Sequence, residues 1–355
     1  MILLNPGPVT LTQRVRQAML KPDLCHREAE FAALQRSIRD KLLKVYQLDG
    51  TEWTVGLLTG SGTAAVEAMV STLIPDSGKL LSVENGVYGE RITKIAEQYG
   101  IPLAVSNFAW TQEIDCEQLA RQLSEDRTIT HVAAIHHETT TGRLNNLSEI
   151  LAVCETYEVK LLLDGVSSFG AENIPFDHHC LIACAATANK CLHGVPGTAF
   201  VITRRESLVN ANPRTLYLNL KAYIEQQDGD GTPFTQSVQT FYALDEALSE
   251  LFVEGGQKAR LKNYHARMSR VREALKALNI EPLLAESACS AVLHAYRLPT
   301  GKSYQQLHQQ LKDDGFIIYA GQGELAKTLF RISMMGDISE DDIGRLVQSF
   351  HAAFA

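Results

Sequence analysis

The sequence predicts an α/β protein in which a large domain, built on a mostly parallel sheet, is followed by a smaller α+β domain. Between residues 53 and 203, short β-rich runs alternate with helical patterns, which is typical of βαβ units and a parallel sheet. After Phe234 the pattern changes to long helical segments and short extended pieces. The length of 355 residues also exceeds what one hydrophobic core usually serves, which favours two domains.

The first part of the chain supplies the strands and helices of the large domain. Ligands of such sheets bind beyond the carboxyl ends of the parallel strands, so polar segments that follow different strands should meet there. We expect strands at 53–59, 79–83, 101–108, 131–136, 159–163, 181–185 and 198–203, and helices at 63–73, 88–99, 115–124 and 147–157.

The C-terminal part follows a Gly255-Gly256 break between two long helical patterns. We therefore expect an N-terminal arm and large domain at residues 1–254 and a small domain at 255–355. The predicted elements are helices at 238–254, 257–278, 304–313 and 340–354, and extended segments at 291–296, 316–318 and 329–334.

Composition excludes several classes of partner. The net charge is −8, and Lys and Arg are scattered among acidic residues, which argues against nucleic-acid binding. No run of eighteen apolar residues occurs and the N-terminus lacks the pattern of a signal peptide, so we expect no membrane association and a cytoplasmic location. The seven cysteines show no paired spacing and are expected to be reduced thiols.

Lys190 and Asp164 form the most informative pair. Lys190 lies among small residues beyond a predicted strand, and Asp164 ends the apolar run 161–163. A lysine can hold an aldehyde cofactor as a Schiff base, and a neighbouring carboxylate can hold the proton of a pyridinium ring. Alone, such residues are usually a solvated lysine and a turn or helix-capping aspartate. Together they indicate pyridoxal phosphate (PLP).

The segment Gly60-Ser61-Gly62-Thr63 leads from a predicted strand into a helix. Glycines allow close approach of an anion, and the helix N-terminus offers free N–H groups and a favourable dipole. The alternative is a plain helix cap with a tight turn. We expect Ser61, Gly62 and Thr63 to bind a phosphate group, although the pattern matches neither a nucleoside triphosphate nor a dinucleotide motif.

Three further residues fit a cofactor or substrate site. Tyr88 follows a predicted strand and could stack on a flat ring, or serve only in packing. Thr139 could donate a hydrogen bond to a ring oxygen, or cap a strand end. Arg331 is a charge inside an apolar run, where it could bind an acidic substrate or form an internal salt bridge.

The histidine pairs His136-His137 and His178-His179 raise the question of a metal site. Adjacent residues in a strand point to opposite faces, and no i,i+4 or C-x-x-C spacing accompanies these pairs. We therefore expect no metal.

The chain resembles the class V, fold type I PLP-dependent aminotransferases over nearly its whole length. The residues that carry the resemblance are Asn5-Pro6-Gly7-Pro8, Gly60-Ser61-Gly62-Thr63, Asn85-Gly86-Val87-Tyr88-Gly89, Glu138-Thr139-Thr140-Thr141-Gly142, Asp164-Gly165-Val166-Ser167-Ser168-Phe169-Gly170, Asn189-Lys190-Cys191 and Phe330-Arg331-Ile332.

The local runs Cys25-His26-Arg27-Glu28-Ala29-Glu30-Phe31 and Asn189-Lys190-Cys191-Leu192 resemble those of family members that act in phosphonate catabolism. The resemblance implies transfer of the amino group of 2-aminoethylphosphonate to pyruvate, giving phosphonoacetaldehyde and L-alanine. The alternative is an alanine or serine:glyoxylate-type aminotransferase of the same class.

The resemblance also implies a role for each matched position. It assigns the Schiff base to Lys190, the contact with the ring nitrogen to Asp164, and the acidic group of the substrate to Arg331. The phosphate of the neighbouring subunit's cofactor is implied for Thr235, and with it an obligate homodimer with shared active sites. The remaining cofactor contacts are implied for Tyr88 (ring stacking), Thr139 (ring hydroxyl), and Ser61, Gly62 and Thr63 (phosphate).

Two departures from the family pattern bear on the substrate. Family members often have Tyr-Pro-Gly-Lys where this chain has Tyr319-Ala320-Gly321-Gln322, and loss of that lysine could weaken anion binding. Asn5 replaces a threonine in the N-terminal motif.

Asn189 and Tyr88 argue against a cysteine desulfurase, which typically has histidines at both places, and the intact Lys190 argues against a protein that keeps the fold without catalysis.

Overall fold

A seven-stranded sheet lies at the centre of the computed structural model, which describes residues 1–354. The strands are β1 (Ile2–Leu3), β2 (Trp53–Gly60), β3 (Lys79–Glu84), β4 (Leu103–Asn107), β5 (Ile129–Ile135), β6 (His137–Glu138), β7 (Arg143–Leu144), β8 (Lys160–Asp164), β9 (Leu181–Thr187), β10 (Gly197–Arg204), β11 (Leu293–Arg297), β12 (Phe316–Ile317), β13 (Tyr319–Ala320) and β14 (Leu329–Ser333). The helices are α1 (Gln13–Ala18), α2 (Ala29–Val45), α3 (Gly62–Leu73), α4 (Val87–Gln98), α5 (Cys116–Glu125), α6 (Leu147–Thr156), α7 (Leu220–Asp228), α8 (Val238–Glu254), α9 (Gln257–Ala277), α10 (Tyr304–Asp313) and α11 (Glu340–Phe354).

The large sheet has the order β2-β10-β9-β8-β5-β3-β4, and only β10 runs antiparallel to its neighbours. The other six strands therefore end at the same edge. This confirms the predicted α/β class with a mostly parallel sheet. Because parallel strands buried on both faces need helices on each side, α3 and α4 cover one face and α2, α5 and α6 the other.

Alternating residues of the buried strands supply two separate core layers. Leu161 and Leu163 belong to the layer that contains α2, α5 and α6, whereas Leu162 belongs to the layer that contains α3 and α4. This follows from the period of two in a strand. Both faces are apolar, so the strands read as continuous hydrophobic runs, as the sequence predicted.

The C-terminal part has its own sheet and its own core. Strands β11, β14 and β13 form an antiparallel sheet in that order, covered by α9, α10 and α11. The N-terminal strand β1 pairs with β12, and Leu4 and Val9 are buried in the same cluster. The N-terminal arm thus packs on the C-terminal part of the chain.

The Gly255-Gly256 break lies between α8 and α9. Both glycines have positive φ, 109° and 80°, a region in which L side chains are strained. We propose that this turn is the boundary between the two domains, although the C-terminal core also includes Leu4, Val9, Ala171 and Cys191 from the part of the chain before the turn. No helix within residues 1–354 is long and apolar enough to cross a membrane.

Every strand and helix expected from the sequence is present, with shifted ends at some. Three helices were missed, namely α1, α2 and α7. The short strands β1, β6, β7 and β13 were also not predicted.

Candidate active site

Five segments meet beyond the carboxyl edge of the large sheet. They follow β2, β3, β5, β8 and β9. The residues they bring to this edge are Ser61, Gly62 and Thr63 after β2, Tyr88 after β3, Thr139 after β5, Asp164 at the end of β8 and Lys190 after β9.

The N-terminal turn covers the Lys190 side chain. Lys190 Nζ donates a hydrogen bond to the Pro6 carbonyl oxygen. A Cβ at Gly7 would lie 2.9 Å from Lys190 Cδ, and Gly7 has a φ of +107°, so glycine is needed here for both space and conformation. Asn5 holds the turn by donating from Nδ2 to the Pro8 carbonyl at 2.8 Å. The arm therefore forms one wall around the lysine.

Burial makes the Lys190 amine unusually acidic. It lowers the pKa of Lys190 to about 8, against a weaker opposing effect of Cys191 and Asp164. About half of such a side chain is neutral at pH 8, compared with about 0.3% for an ordinary lysine. A neutral amine can attack a carbonyl carbon or accept a proton.

Asp164 is a buried carboxylate with spare hydrogen-bonding capacity. Its Oδ1 accepts from the Val166 N–H at 2.9 Å, and Oδ2 makes no hydrogen bond with residues 1–354. Burial raises the pKa of Asp164 to about 6, while the Val166 N–H and the charges of Lys190 and Arg91 oppose that rise. A cationic ring nitrogen would supply the missing partner.

The N-terminus of α3 allows an anion to approach the backbone closely. Ser61 is the N-cap residue, but its hydroxyl forms no capping hydrogen bond. A Cβ at Gly62 would lie 2.8 Å from Val166 Cγ1, so the helix end lies directly against the segment that follows Asp164. The free hydroxyl and the helix N–H groups fit an anion at this point.

Arg91 also belongs to the site, and this residue was not predicted from the sequence. Its guanidinium carbon lies 4.8 Å from the centroid of the Tyr88 ring, and Nη1 donates to Thr63 Oγ1 at 3.1 Å. It therefore joins the aromatic ring to the anion-binding helix end. The sequence feature that could have identified Arg91 is its i,i+3 spacing from Tyr88, which places both residues on one face of α4.

Glu138 is a second residue that was missed. It is fully buried and accepts hydrogen bonds from the Tyr88 N–H at 3.2 Å and the Thr140 N–H at 2.9 Å. Burial raises the pKa of Glu138 to about 7, against those hydrogen bonds. The carboxylate ties the segment after β3 to the segment after β5. Its position before Thr139 in a matched motif was the available signal.

Arg331 lies on β14 of the C-terminal sheet and reaches the same site. It donates from Nε to the Ala320 carbonyl and from Nη1 to the Thr139 carbonyl, each at 2.8 Å. Its Nη2 makes no hydrogen bond within residues 1–354, and no carboxylate there forms an ion pair with it. The internal salt bridge considered from the sequence is therefore absent from the described chain. A buried guanidinium without an anion is suited to bind one.

Gln322 lies beside this arginine. Its Oε1 accepts from Thr140 Oγ1 at 3.1 Å and lies 3.4 Å from Arg331 Nη1. The departure from the family pattern is thus in contact with the candidate anion site. A glutamine at this place lines the site without adding charge.

Thr235 is the one expected site residue that lies apart from these contacts. It is exposed in the segment before α8, and its hydroxyl makes no hydrogen bond within residues 1–354. The neighbouring Phe234 packs against Tyr217, with ring centroids 5.0 Å apart. A single chain therefore leaves this residue on the surface.

The residues present fit PLP. A spare carboxylate oxygen, a helix end with a free hydroxyl, a partly exposed aromatic ring and a lysine of lowered pKa lie at one edge of the sheet. The Thr139 hydroxyl also makes no hydrogen bond with residues 1–354. Each of these groups matches one functional part of that cofactor.

A family model provides the deciding comparison. The model described as "Aminotransferase class-V" matches residues 16–346. The chain belongs to the class V aminotransferases. It is therefore an enzyme that uses PLP to transfer amino groups.

Relatives and solved structures agree with membership in the class V aminotransferases. The 2-aminoethylphosphonate–pyruvate transaminase of Bacillus mycoides is 35% identical over 354 residues, covering 98% of this chain and 96% of the relative. The enzyme of the same name from Bacillus cereus has the same identity and coverage.

The fold is also that of solved aminotransferases. A Thermus thermophilus aspartate aminotransferase superposes with a TM-score of 0.91 at 24% identity, covering 100% of this chain and 99% of the other. An alanine–glyoxylate aminotransferase from Nostoc sp. gives a TM-score of 0.91 at 23% identity, covering 100% and 95%. At such identities the likeness shows the fold.

Proposed function

We propose that this class V aminotransferase transfers the amino group of 2-aminoethylphosphonate to pyruvate, giving phosphonoacetaldehyde and L-alanine. The observation that carries the proposal is the buried, unpaired guanidinium of Arg331 next to the candidate cofactor site. A phosphonate and a carboxylate both match its planar fork. The relatives that share 35% of its residues bear the name of this activity.

The residues divide the work of the reaction among them. Bound PLP supplies an aldehyde that condenses with the substrate amine and a ring that withdraws electrons from the adjacent carbon. Lys190 Nζ, whose pKa burial lowers, would accept the proton from the amine-bearing carbon of the donor and, in the second half-reaction, would supply a proton to the former carbonyl carbon of pyruvate. Asp164 would keep its negative charge next to the ring nitrogen. Tyr88 would stack on the cofactor ring, and the Thr139 hydroxyl would donate a hydrogen bond to the ring oxygen.

Arg331 would orient both substrates by their acidic ends. Its contacts with the Ala320 and Thr139 carbonyls hold the guanidinium plane while Nη2 remains available. The same anion site would take the phosphonate of the amino donor and then the carboxylate of pyruvate. Fixing this end would bring the amine carbon toward Lys190 Nζ.

Product analysis tests the substrate assignment. Purified enzyme is incubated with 2-aminoethylphosphonate and pyruvate, and L-alanine and phosphonoacetaldehyde are quantified. Equal amounts of the two products are expected. Parallel reactions with glyoxylate and alanine or serine test the alternative, and turnover in those alone would refute the phosphonate assignment while leaving the transaminase activity intact.

We also propose a homodimer in which Thr235 of one subunit completes the phosphate site of the other. The support is an exposed apolar surface near Thr235, formed by Leu216 and Tyr217, of which Leu216 is 83% exposed in the single chain. Sedimentation equilibrium should give twice the chain mass.

Because the seven cysteines are all free, we propose a reducing, cytoplasmic location.

Arg91→Met should weaken cofactor binding. The change removes the cation from the Tyr88 ring and the donor from Thr63, and a hydrogen bond of a charged group contributes about 1.5–3 kcal/mol. We expect the dissociation constant of PLP, measured by equilibrium dialysis of the apoenzyme, to rise about tenfold or more. Arg91→Lys keeps the charge without the planar contact and should be intermediate. Equal affinities in all three proteins would contradict a role in cofactor binding.

Gln322→Lys should favour the phosphonate. The new ammonium would lie beside Arg331 and add a second positive charge where the acidic end binds. We expect a several-fold lower KM for 2-aminoethylphosphonate and a smaller change for alanine, whose carboxylate carries less charge. Gln322→Met serves as the uncharged control. An unchanged KM for both amines would place the acidic end elsewhere.

A further inference from the structure

A turn before β9 holds two histidines and a cysteine side by side. One ring nitrogen of each of His178 and His179 and the sulfur of Cys180 lie within 4.8 Å of one another. The two rings are stacked, with centroids 5.1 Å apart and an interplanar angle of 12°. The expectation from the sequence was that neighbouring histidines point to opposite faces, as they do in a strand. That assumption was wrong here, because residues 178–180 form a turn in which the three side chains converge.

The distances suit a small tetrahedral ion. Cys180 Sγ lies 3.4 Å from His179 Nε2. In a tetrahedral zinc centre, with Zn–S near 2.3 Å and Zn–N near 2.0–2.1 Å, sulfur and nitrogen ligands are about 3.6 Å apart. This edge of the site already has the required length. The side chain of His178 is 25% exposed and that of His179 is 63% exposed, so neither ring is fully enclosed by packing.

Glu155, near the end of α6, faces both rings from the other side. Its Oε2 lies 3.7 Å from His178 Nε2, and its Oε1 lies 3.8 Å from His179 Nδ1. On the cysteine side, the Cys180 N–H donates to His178 Nδ1 at 3.2 Å. Each ring therefore has one nitrogen toward the carboxylate and one toward Cys180, and the hydrogen bond at His178 Nδ1 has to open before that nitrogen binds an ion. At 3.7 and 3.8 Å the carboxylate does not hydrogen-bond to either ring, and a small movement would give each ligating histidine the carboxylate partner that commonly supports a metal site.

We propose that His178, His179 and Cys180 bind a divalent transition metal ion, with Glu155 orienting the two rings and water completing the coordination. A thiolate with two imidazoles favours Zn²⁺, and Co²⁺ can replace it. On binding, the thiol loses its proton to solvent and a sulfur–metal bond takes its place. No redox change is involved.

The metal site lies far from the aminotransferase site. Cys180 precedes β9 and Lys190 follows it, and a seven-residue strand spans roughly 20 Å. The ion would join the end of α6 to the start of β9. Its role is therefore stabilisation of the fold, and transamination proceeds without it.

Cobalt spectroscopy tests the proposal on tag-free, PLP-loaded enzyme that has been treated with a chelator and desalted. Titration with Co²⁺ should produce the visible bands of a tetrahedral centre and a thiolate charge-transfer band, both saturating at one equivalent. Zn²⁺ should then remove them. Cys180→Ser should lose the charge-transfer band, and His179→Ala should weaken Co²⁺ binding about tenfold or more. His351→Ala, an exposed histidine on α11, is the matched control and should behave as wild type.

Thermal unfolding provides the second measurement. Zn²⁺ should raise the Tm of the wild-type enzyme and of His351→Ala, and should leave that of Cys180→Ser unchanged. If Cys180→Ser does not fold, His178→Gln and His179→Gln take its place in both experiments. Absence of tetrahedral cobalt bands, or bands that survive loss of Cys180 and of both histidines, would overturn the proposal. The visible band of bound PLP serves as a check that the chelator has not altered the other site.

Discussion

Lys190→Ala should lower the rate of transamination by a factor of about 10⁴, the upper end of what a positioned general base contributes. The variant loses the amine that the structure places beside Asp164 at the carboxyl edge of the sheet, and with it the group of lowered pKa that can move a proton at the substrate carbon. Single-turnover rates with 2-aminoethylphosphonate, followed by L-alanine formation after addition of pyruvate, measure the effect.

Two controls separate this loss from misfolding. Lys94→Ala removes an exposed lysine on α4 and should keep full activity. The Lys190→Ala protein should keep its circular dichroism spectrum and should still bind PLP without the covalent link, which an absorption shift reveals. Turnover within tenfold of wild type would mean that another group carries the proton.

Arg331→Met should have the second-largest effect. Truncating one partner of a buried ion pair costs about 2–5 kcal/mol, so kcat/KM for both 2-aminoethylphosphonate and pyruvate should fall at least about 30-fold. Both half-reactions are affected because each substrate has an acidic end. Steady-state kinetics with each substrate varied in turn measures the loss.

The matched control is Arg121→Met, which removes an arginine whose side chain is 60% exposed and should change nothing. Arg331→Lys keeps a charge but not the fork that contacts Ala320 and Thr139, so partial activity is expected. If Arg331→Met lowers only the Tm and leaves KM unchanged, the arginine serves to hold these two segments together.

Much of the fold could be predicted because the large sheet is buried on both faces. Continuous apolar runs between amphipathic helices marked each strand, and the rule on carboxyl ends then brought Tyr88, Thr139, Asp164 and Lys190 to one edge. The antiparallel direction of β10 could also have been predicted from the sequence, because the segment 188–196 between β9 and β10 is shorter than a parallel crossover requires.

The missed features depend on contacts between distant parts of the chain. Helix α2 carries a buried apolar stripe, Phe31, Ile38 and Leu42, that packs against α8 and β2, but the many charged residues between these positions obscure it in the sequence. Gln322 reaches the site only because β13 pairs with β14, and this places it beside Arg331. The segment that contains His178 and Cys180 was treated as a strand, in which neighbouring side chains diverge. It is a turn, and the side chains converge.

A spectral titration of the PLP-loaded enzyme tests the proposed donor most directly. Stoichiometric 2-aminoethylphosphonate, added without any oxo acid, should remove the visible absorption of lysine-bound cofactor and release an equal amount of phosphonoacetaldehyde. Pyruvate should then restore the absorption and yield L-alanine. If 2-aminoethylphosphonate leaves the spectrum unchanged while alanine or serine removes the band, the chain is a class V aminotransferase with a different donor.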